Sequence, residues 1–190
     1  ISLRDTVSEN IDKMADNIYN KIMRRAEKLV PTVEYLSGKY GIPIVNKRVS
    51  VTPVSIVAEA TKEDSYLKIA KALDRAAENL GIDYIAGFSA LVHKGMTPGD
   101  IIHINSIPEV LTTTKRVCAS VNVGSTRSGL NMEACRLMGD IVIETAKRTA
   151  DRGSIGCAKL VVFANAVEDN PFIAGAMCGV GEGDCTINVG

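Results

Sequence analysis

The sequence predicts an α/β protein built on a mainly parallel sheet of roughly four to six strands, with helices outside it. Three observations predict it. Long stretches with apolar residues at helical spacing alternate with short runs rich in Val and Ile. The run AKLVVFANAV at 158–167 is apolar without alternation, which suits a parallel strand covered on both faces. The segments between strands are long enough for helical crossovers, so neighbours run parallel and the crossovers are right-handed. An open doubly wound sheet and part of a closed barrel both satisfy this rhythm.

The chain opens with Ile11, Met14, Ile18, Ile22 and Leu29 near a 3.6-residue period, a helix over about 8–30. Pro31 separates it from a shorter helix near 32–40, and Gly41 ends that one. Residues 44–53, IVNKRVSVTP, read as a strand closed by Pro53. Thr61 is a candidate N-cap for the next helix, whose apolar face runs through Leu67, Ala70, Leu73 and Ala77 to a stop at Gly81. Residues 83–88 follow as a buried strand, and IIHINS at 101–106 as a short strand or turn. Pro108 then opens a short helix ending near Thr114. Arg116–Val123 is a strand, 124–129 a loop, Asn131–Ala150 a helix, and 158–167 the last strand. The length suits a single α/β domain over 1–190.

Composition excludes several classes. Lys and Arg number 22 and Asp and Glu 22, with no basic stripe, which argues against a nucleic-acid partner. No long uncharged apolar run suggests a membrane span, and the opening residues lack the pattern of a signal peptide. The five cysteines show no CxxC spacing; an odd count without a secretion signal suggests reduced thiols and a cytoplasmic protein. The chain begins without Met and ends at an apolar segment, so both ends read as cuts within something longer.

In a parallel architecture, chemistry gathers in the loops after the carboxyl ends of strands. NVGSTRSG at 122–129 joins a strand to a helix. Asn122, Ser125, Thr126, Arg127 and Ser128 there are candidates to wrap an anion, with Arg127 able to pair bidentately and backbone N–H groups open to the same ligand. The segment lacks both the Walker and the dinucleotide glycine patterns, so it names no nucleotide. ANAVEDNPF at 164–172 gathers Asn165, Glu168, Asp169 and Asn170. Its adjacent carboxylates suit an acid and base pair or oxygen ligands for Mg²⁺ or another divalent cation, while a helix cap is the plainer use. Glu168 is the expected chemical member and Asp169 the cap. Lys47 and Arg48 lie just inside a strand: on a central strand one cation turns inward to meet an anion, on an edge strand the pair guards against aggregation. His93 follows a strand and is a candidate general base, whereas His103 and Cys118 read as core residues, the former with its ring hydrogen-bonded.

Taken together, GIPIVNKRVSVTP, GFSALVHKG, INSIPEVL, VCASVNVGSTRSGLNM and AKLVVFANAVEDNPF resemble the uncharacterised protein family 0210, also called the domain of unknown function 711 family. The resemblance runs through nearly the whole chain, matching the amino-terminal part of members and less than half of their length. It implies a fold similar to the ten-stranded β/α barrel of the pyruvate formate-lyase-like glycyl-radical enzymes, with this chain forming part of it, and a homodimer. It carries over neither radical chemistry nor any catalytic residue. The leading functional expectation is an enzyme acting on a small anionic metabolite at the barrel rim. The alternatives are a non-catalytic sensor or regulator using the same anion cradle, and a homo-oligomeric scaffold.

Overall fold

The computed structural model describes residues 1–166, 171–172, 175–176 and 183–189. Two helices lead the chain, α1 (Ile11–Ala26) and α2 (Leu29–Tyr40), with Asn10 capping α1 by accepting from Lys13 N. Strand β1 (Arg48–Ser50) follows, then α3 (Val54–Ala58), α4 (Leu67–Leu80) and β2 (Tyr84–Leu91). Next come α5 (Pro98–Thr113), β3 (Val117–Ser125), a short β4 (Gly129–Leu130) and α6 (Met132–Arg148). A four-residue α7 (Ile155–Ala158) precedes β5 (Leu160–Ala164), and β6 (Pro171–Phe172) pairs with β7 (Gly175–Ala176).

Strands β1, β2, β3 and β5 are parallel neighbours in chain order, and β4 adds an antiparallel pair to the end of β3. The sheet is open, five-stranded and mixed. This overturns the expected part of a ten-stranded β/α barrel: β1 and β5 remain at opposite edges, and sequential parallel order alone does not close a sheet. Among the described residues α1, α3, α4, α5 and α6 all pack into the core on one face and no helix joins the cluster on the other, so the sheet is not doubly wound either. A single core joins Ile18 and Ile22 of α1, Leu73 of α4 and Ile107 of α5 to Ile85 and Val121 of the sheet. Completely buried aliphatic side chains of this size each contribute about 2–5 kcal/mol against truncation to Ala. The opposite face carries small and polar groups, among them Ala86, Cys118, Ser89 and Ser120, with Ser89 Oγ and Ser120 Oγ 2.7 Å apart.

The bulge at Gly87 decides which β2 residue meets which face. Ile85 and Phe88 both enter the helix-side core while Ala86 lies on the other side, so one residue is added to the strict alternation. Gly87 takes φ +121°, and a Cβ there would lie 2.4 Å from Val51 Cγ2 and 2.6 Å from Val51 O.

Several element boundaries differ from the sequence reading. The strand expected over 44–53 is confined to Arg48–Ser50, because residues 41–46 are exposed and pair with nothing in the sheet. Thr61 donates to Ala58 O at the end of α3 instead of capping α4, which starts at Leu67. IIHINS is helix, not strand. It lies inside α5, which runs straight through Pro108. The last strand sits at the sheet edge with Val162 41% exposed, so its apolar run does not reflect cover on both faces.

Candidate functional site

The parallel order sends the loops after β2, β3 and β5 to one end of the sheet, where hydrogen bonds stitch them together. Ser128 Oγ donates to His93 O at 2.9 Å, and Ser128 N donates to Ser125 Oγ at 3.0 Å. With those two roles fixed, the 2.7 Å contact between the hydroxyls has Ser125 donating to Ser128. Asn131, which caps α6 by accepting from Ala134 N, donates from Nδ2 to Val92 O at 2.8 Å. On the other side, Asn165 Oδ1 accepts from Thr126 N at 3.1 Å and from Thr126 Oγ1 at 3.2 Å, and Asn165 N donates to Gly124 O. Asn165 holds φ +61°, a left-handed backbone that Asn tolerates better than most side chains. Gly124 makes room for the turn: a Cβ there would lie 2.4 Å from Leu130 Cδ2.

Asn122 and His93 meet beneath this turn. Asn122 is buried on β3, and its side-chain amide lies 3.5 Å from His93 Nδ1. His93 is half-buried. Arg127 stands exposed at the tip of the turn, with no hydrogen bond or ion pair among the described residues. Two of the amides expected to be open to an anion, those of Thr126 and Ser128, are already used.

Six of the sequence-nominated residues thus come together at the strand ends: His93, Asn122, Ser125, Thr126, Ser128 and Asn165, with Arg127 at their edge. Lys47 and Arg48 are elsewhere. Both sit at the amino end of β1, on the sheet's edge strand. Lys47 N donates to Asp83 Oδ2 at 2.7 Å, and its ammonium lies 3.9 Å from the same oxygen. Arg48 is half-buried with its guanidinium 5.8 Å from the Tyr84 ring centre. Glu168, Asp169 and Asn170 lie outside the described residues, and with them the expected carboxylate pair and divalent-cation ligands. Among the described residues, no group of three or more His, Cys, Asp or Glu is arranged to hold a metal.

The two core expectations resolve differently. Burial pushes the Cys118 thiol up from its usual range, against the opposing pull of Lys159 and Arg48, so it is protonated and unreactive at neutral pH. His103 is fully buried and stacked on Phe88 with ring centres 4.1 Å apart. Both its nitrogens lack hydrogen bonds, contrary to the expected satisfied ring. Burial lowers its pKa to about 3; the Phe88 backbone pulls the other way but meets no ring nitrogen in hydrogen-bond geometry.

Sequence reasoning missed Asn131, whose N-cap position after Gly129 was the available signal. A surface depression of about 320 Å³ lies between α1 and α4, lined by Asp12, Asp16, Lys68 and Arg75 among others. It is remote from the strand-end loops in the fold, and two of its cations, Lys68 and Arg75, already face Asp12 and Asp16. We assign it no part in the site.

The class defined by these features is an α/β protein with an open, mainly parallel sheet and a polar rim at the strand carboxyl ends. Residues 1–190 match the family model described as Uncharacterised ACR (DUF711), and the chain belongs to that family. It is 60% identical to a UPF0210 protein of Methanococcoides burtonii over 190 residues, all of this chain and 42% of that protein. The same identity and coverage hold for UPF0210 proteins of Pelobacter propionicus and of Clostridium botulinum strain Alaska E43. The chain therefore spans less than half the length of these relatives. No helix among the described residues is long and apolar enough to cross a membrane.

Proposed function

We propose that the rim binds a small anionic metabolite, with Arg127 as its counter-charge and His93 as the proton-transfer group of an enzyme. One observation carries this reading. Arg127 has no partner among the described residues, yet it rides on a turn fixed on both flanks, to β2 through His93 and to β5 through Asn165. A guanidinium on a fixed turn loses less freedom on binding than one on a free loop. Exposed cationic tips without such support are ordinary solvated surface.

The test is a thermal-shift screen of small carboxylates and inorganic phosphate on the intact protein, followed by turnover assays on any ligand found. The reading expects at least one anion to raise the melting temperature, an effect lost in Arg127→Ala. No stabilisation by any anion, or stabilisation equal in the variant, contradicts it. A binder without turnover is the second reading. It is favoured because His93 is the one titratable side chain in the rim's hydrogen-bond network among the described residues.

The proposal extends to a homodimer working in the cytoplasm. Support for the compartment comes from Cys118, Cys135, Cys157 and Cys185, all free thiols. A monomer mass by sedimentation equilibrium of the intact protein removes the dimer.

A further inference from the structure

The geometry points to a positioning residue: we propose that Asn122 holds His93 in the tautomer protonated on Nδ1, leaving Nε2 as the ring's proton acceptor. The inference deepens the proposed function and rests on it for the use of that acceptor.

The direction in which the Asn122 amide faces decides the tautomer. One of its two polar atoms lies among acceptors only, within 2.9 Å of Gly124 O and 3.3 Å of Phe163 O. An oxygen there would oppose two carbonyl oxygens in a buried setting, whereas an NH₂ group donates to both. The nitrogen therefore belongs on that side. This leaves Oδ1 as the atom 3.5 Å from His93 Nδ1. An amide oxygen can only accept, so the ring nitrogen facing it carries the proton. The contact is long, as base-to-orienter contacts often are before a ligand is bound.

Both partners are anchored so that this relation persists. Asn122 is 5% exposed on a central strand, and its carbonyl accepts from Val92 N at 2.9 Å. The His93 carbonyl is held by Ser128 Oγ. No hydrogen bond reaches His93 Nε2 among the described residues. The arrangement is the base with its orienting group that acid–base catalysis requires. A buried Asn on β3 beneath this turn can do both at once, donating to the Gly124 and Phe163 carbonyls and accepting from the imidazole. The carbonyls of Gly124 and Phe163 act as the fixed reference, Asn122 passes their orientation to the imidazole, and a proton taken up at Nε2 makes an imidazolium whose Nδ1–H stays on Oδ1.

The experiment is a two-dimensional proton–nitrogen spectrum of the ¹⁵N-labelled intact protein without ligand, at alkaline pH where imidazole is neutral. The His93 signals are assigned by their loss in His93→Gln. Free imidazole side chains in water favour the Nε2-protonated tautomer, so the expected Nδ1-protonated pattern is a departure that solvent alone does not produce. In Asn122→Ala the pattern is expected to revert to the Nε2-protonated one. Asn122→Ser, a shorter polar side chain that lacks the amide oxygen facing His93, gives the same reversal if the Ala variant does not fold. An Nε2-protonated His93 in the parent protein overturns the inference, as does an Nδ1-protonated pattern that survives loss of Asn122. Because the tautomer is read without ligand, this failure is distinct from failure of anion binding.

Discussion

The two ends of the parallel sheet differ in how their cations are employed. At the amino end most polar groups beside the parallel strands are already engaged, although Arg48 Nε is buried without a hydrogen bond and its guanidinium lies against the Tyr84 ring. Lys47 is tied to Asp83 through both its backbone and its ammonium. The backbone amides of Lys115 and Arg116 donate to Asp74, and Arg116 Nε to Ile82 O. Lys159 buries its ammonium on the carbonyls of Leu111 and Thr114 at 3.2 and 2.6 Å, serving the C-terminal end of α5. At the carboxyl end the hydrogen bonds run between loops, and Arg127 has no partner among the described residues. At the amino end Lys47, Arg116 and Lys159 are tied into the fold, and the proposed anion site lies at the carboxyl end. Basic residues near strands are therefore not equivalent: existing partners set Lys47, Arg116 and Lys159 apart, and exposure separates Arg127 from half-buried Arg48.

Gly87→Ala should break the comparison outright, because it disturbs the frame that sets both ends. Left-handed strain and overlap with Val51 together cost about 3 kcal/mol or more. Urea denaturation should show that loss; a midpoint within error of the parent would remove the bulge from the account. Lys159→Met tests the amino end alone. Stranding two buried carbonyls should cost about 2–3 kcal/mol while leaving anion binding unchanged.

The third prediction sharpens the contrast between the two histidines. His103 has its folded pKa depressed to about 3 by burial, so between that value and the ordinary range near 6.5 only the unfolded chain takes up the proton. Stability from this group is full above about pH 6.5 and falls as pH drops, by about 1.4 kcal/mol per unit once well below it. His103→Leu should flatten that part of the profile measured by denaturation across pH. A slope unchanged in the variant assigns the acid sensitivity to other groups. Arg127→Ala is the smallest perturbation to the fold, within about 0.5 kcal/mol of the parent. It should nonetheless weaken anion affinity about tenfold to a hundredfold by calorimetry, the range of a charged hydrogen bond.

How legible all this was depended on local pattern. The alternation of helix and strand was plain, and β2, β3 and α6 fall within a few residues of their expected bounds. α5 was hidden because polarity does not follow its burial: the buried face includes Gly99, Asp100, His103, Ser106 and Pro108 beside its aliphatics, while Ile101 is exposed on the other, so helical period did not show. Its start was nevertheless written in Thr97-Pro98-Gly99-Asp100, a capping box with Pro in the first turn. The bulge at Gly87 required knowledge of Val51 across the strand pair. The rim's membership followed from the rule that chemistry sits after parallel strands, but its pairing did not. That Thr126 belongs to Asn165 and Ser128 to His93 depends on which strands are neighbours, and neighbour order is a tertiary fact. Lys47 and Arg48 entered the list because the strand around them was drawn too long, so their place at its amino end was not visible.

The central claim is that the carboxyl-end turn, and not the cation-rich amino end, receives a small anion. The most direct measurement is a titration of the ¹⁵N-labelled intact protein with inorganic phosphate and small carboxylates, followed by amide shifts. The account predicts saturable shifts at Thr126, Arg127, Ser128 and His93, with Lys47, Lys115 and Lys159 unmoved. Shifts confined to the amino end, or none in the 124–129 turn with any anion, would contradict it.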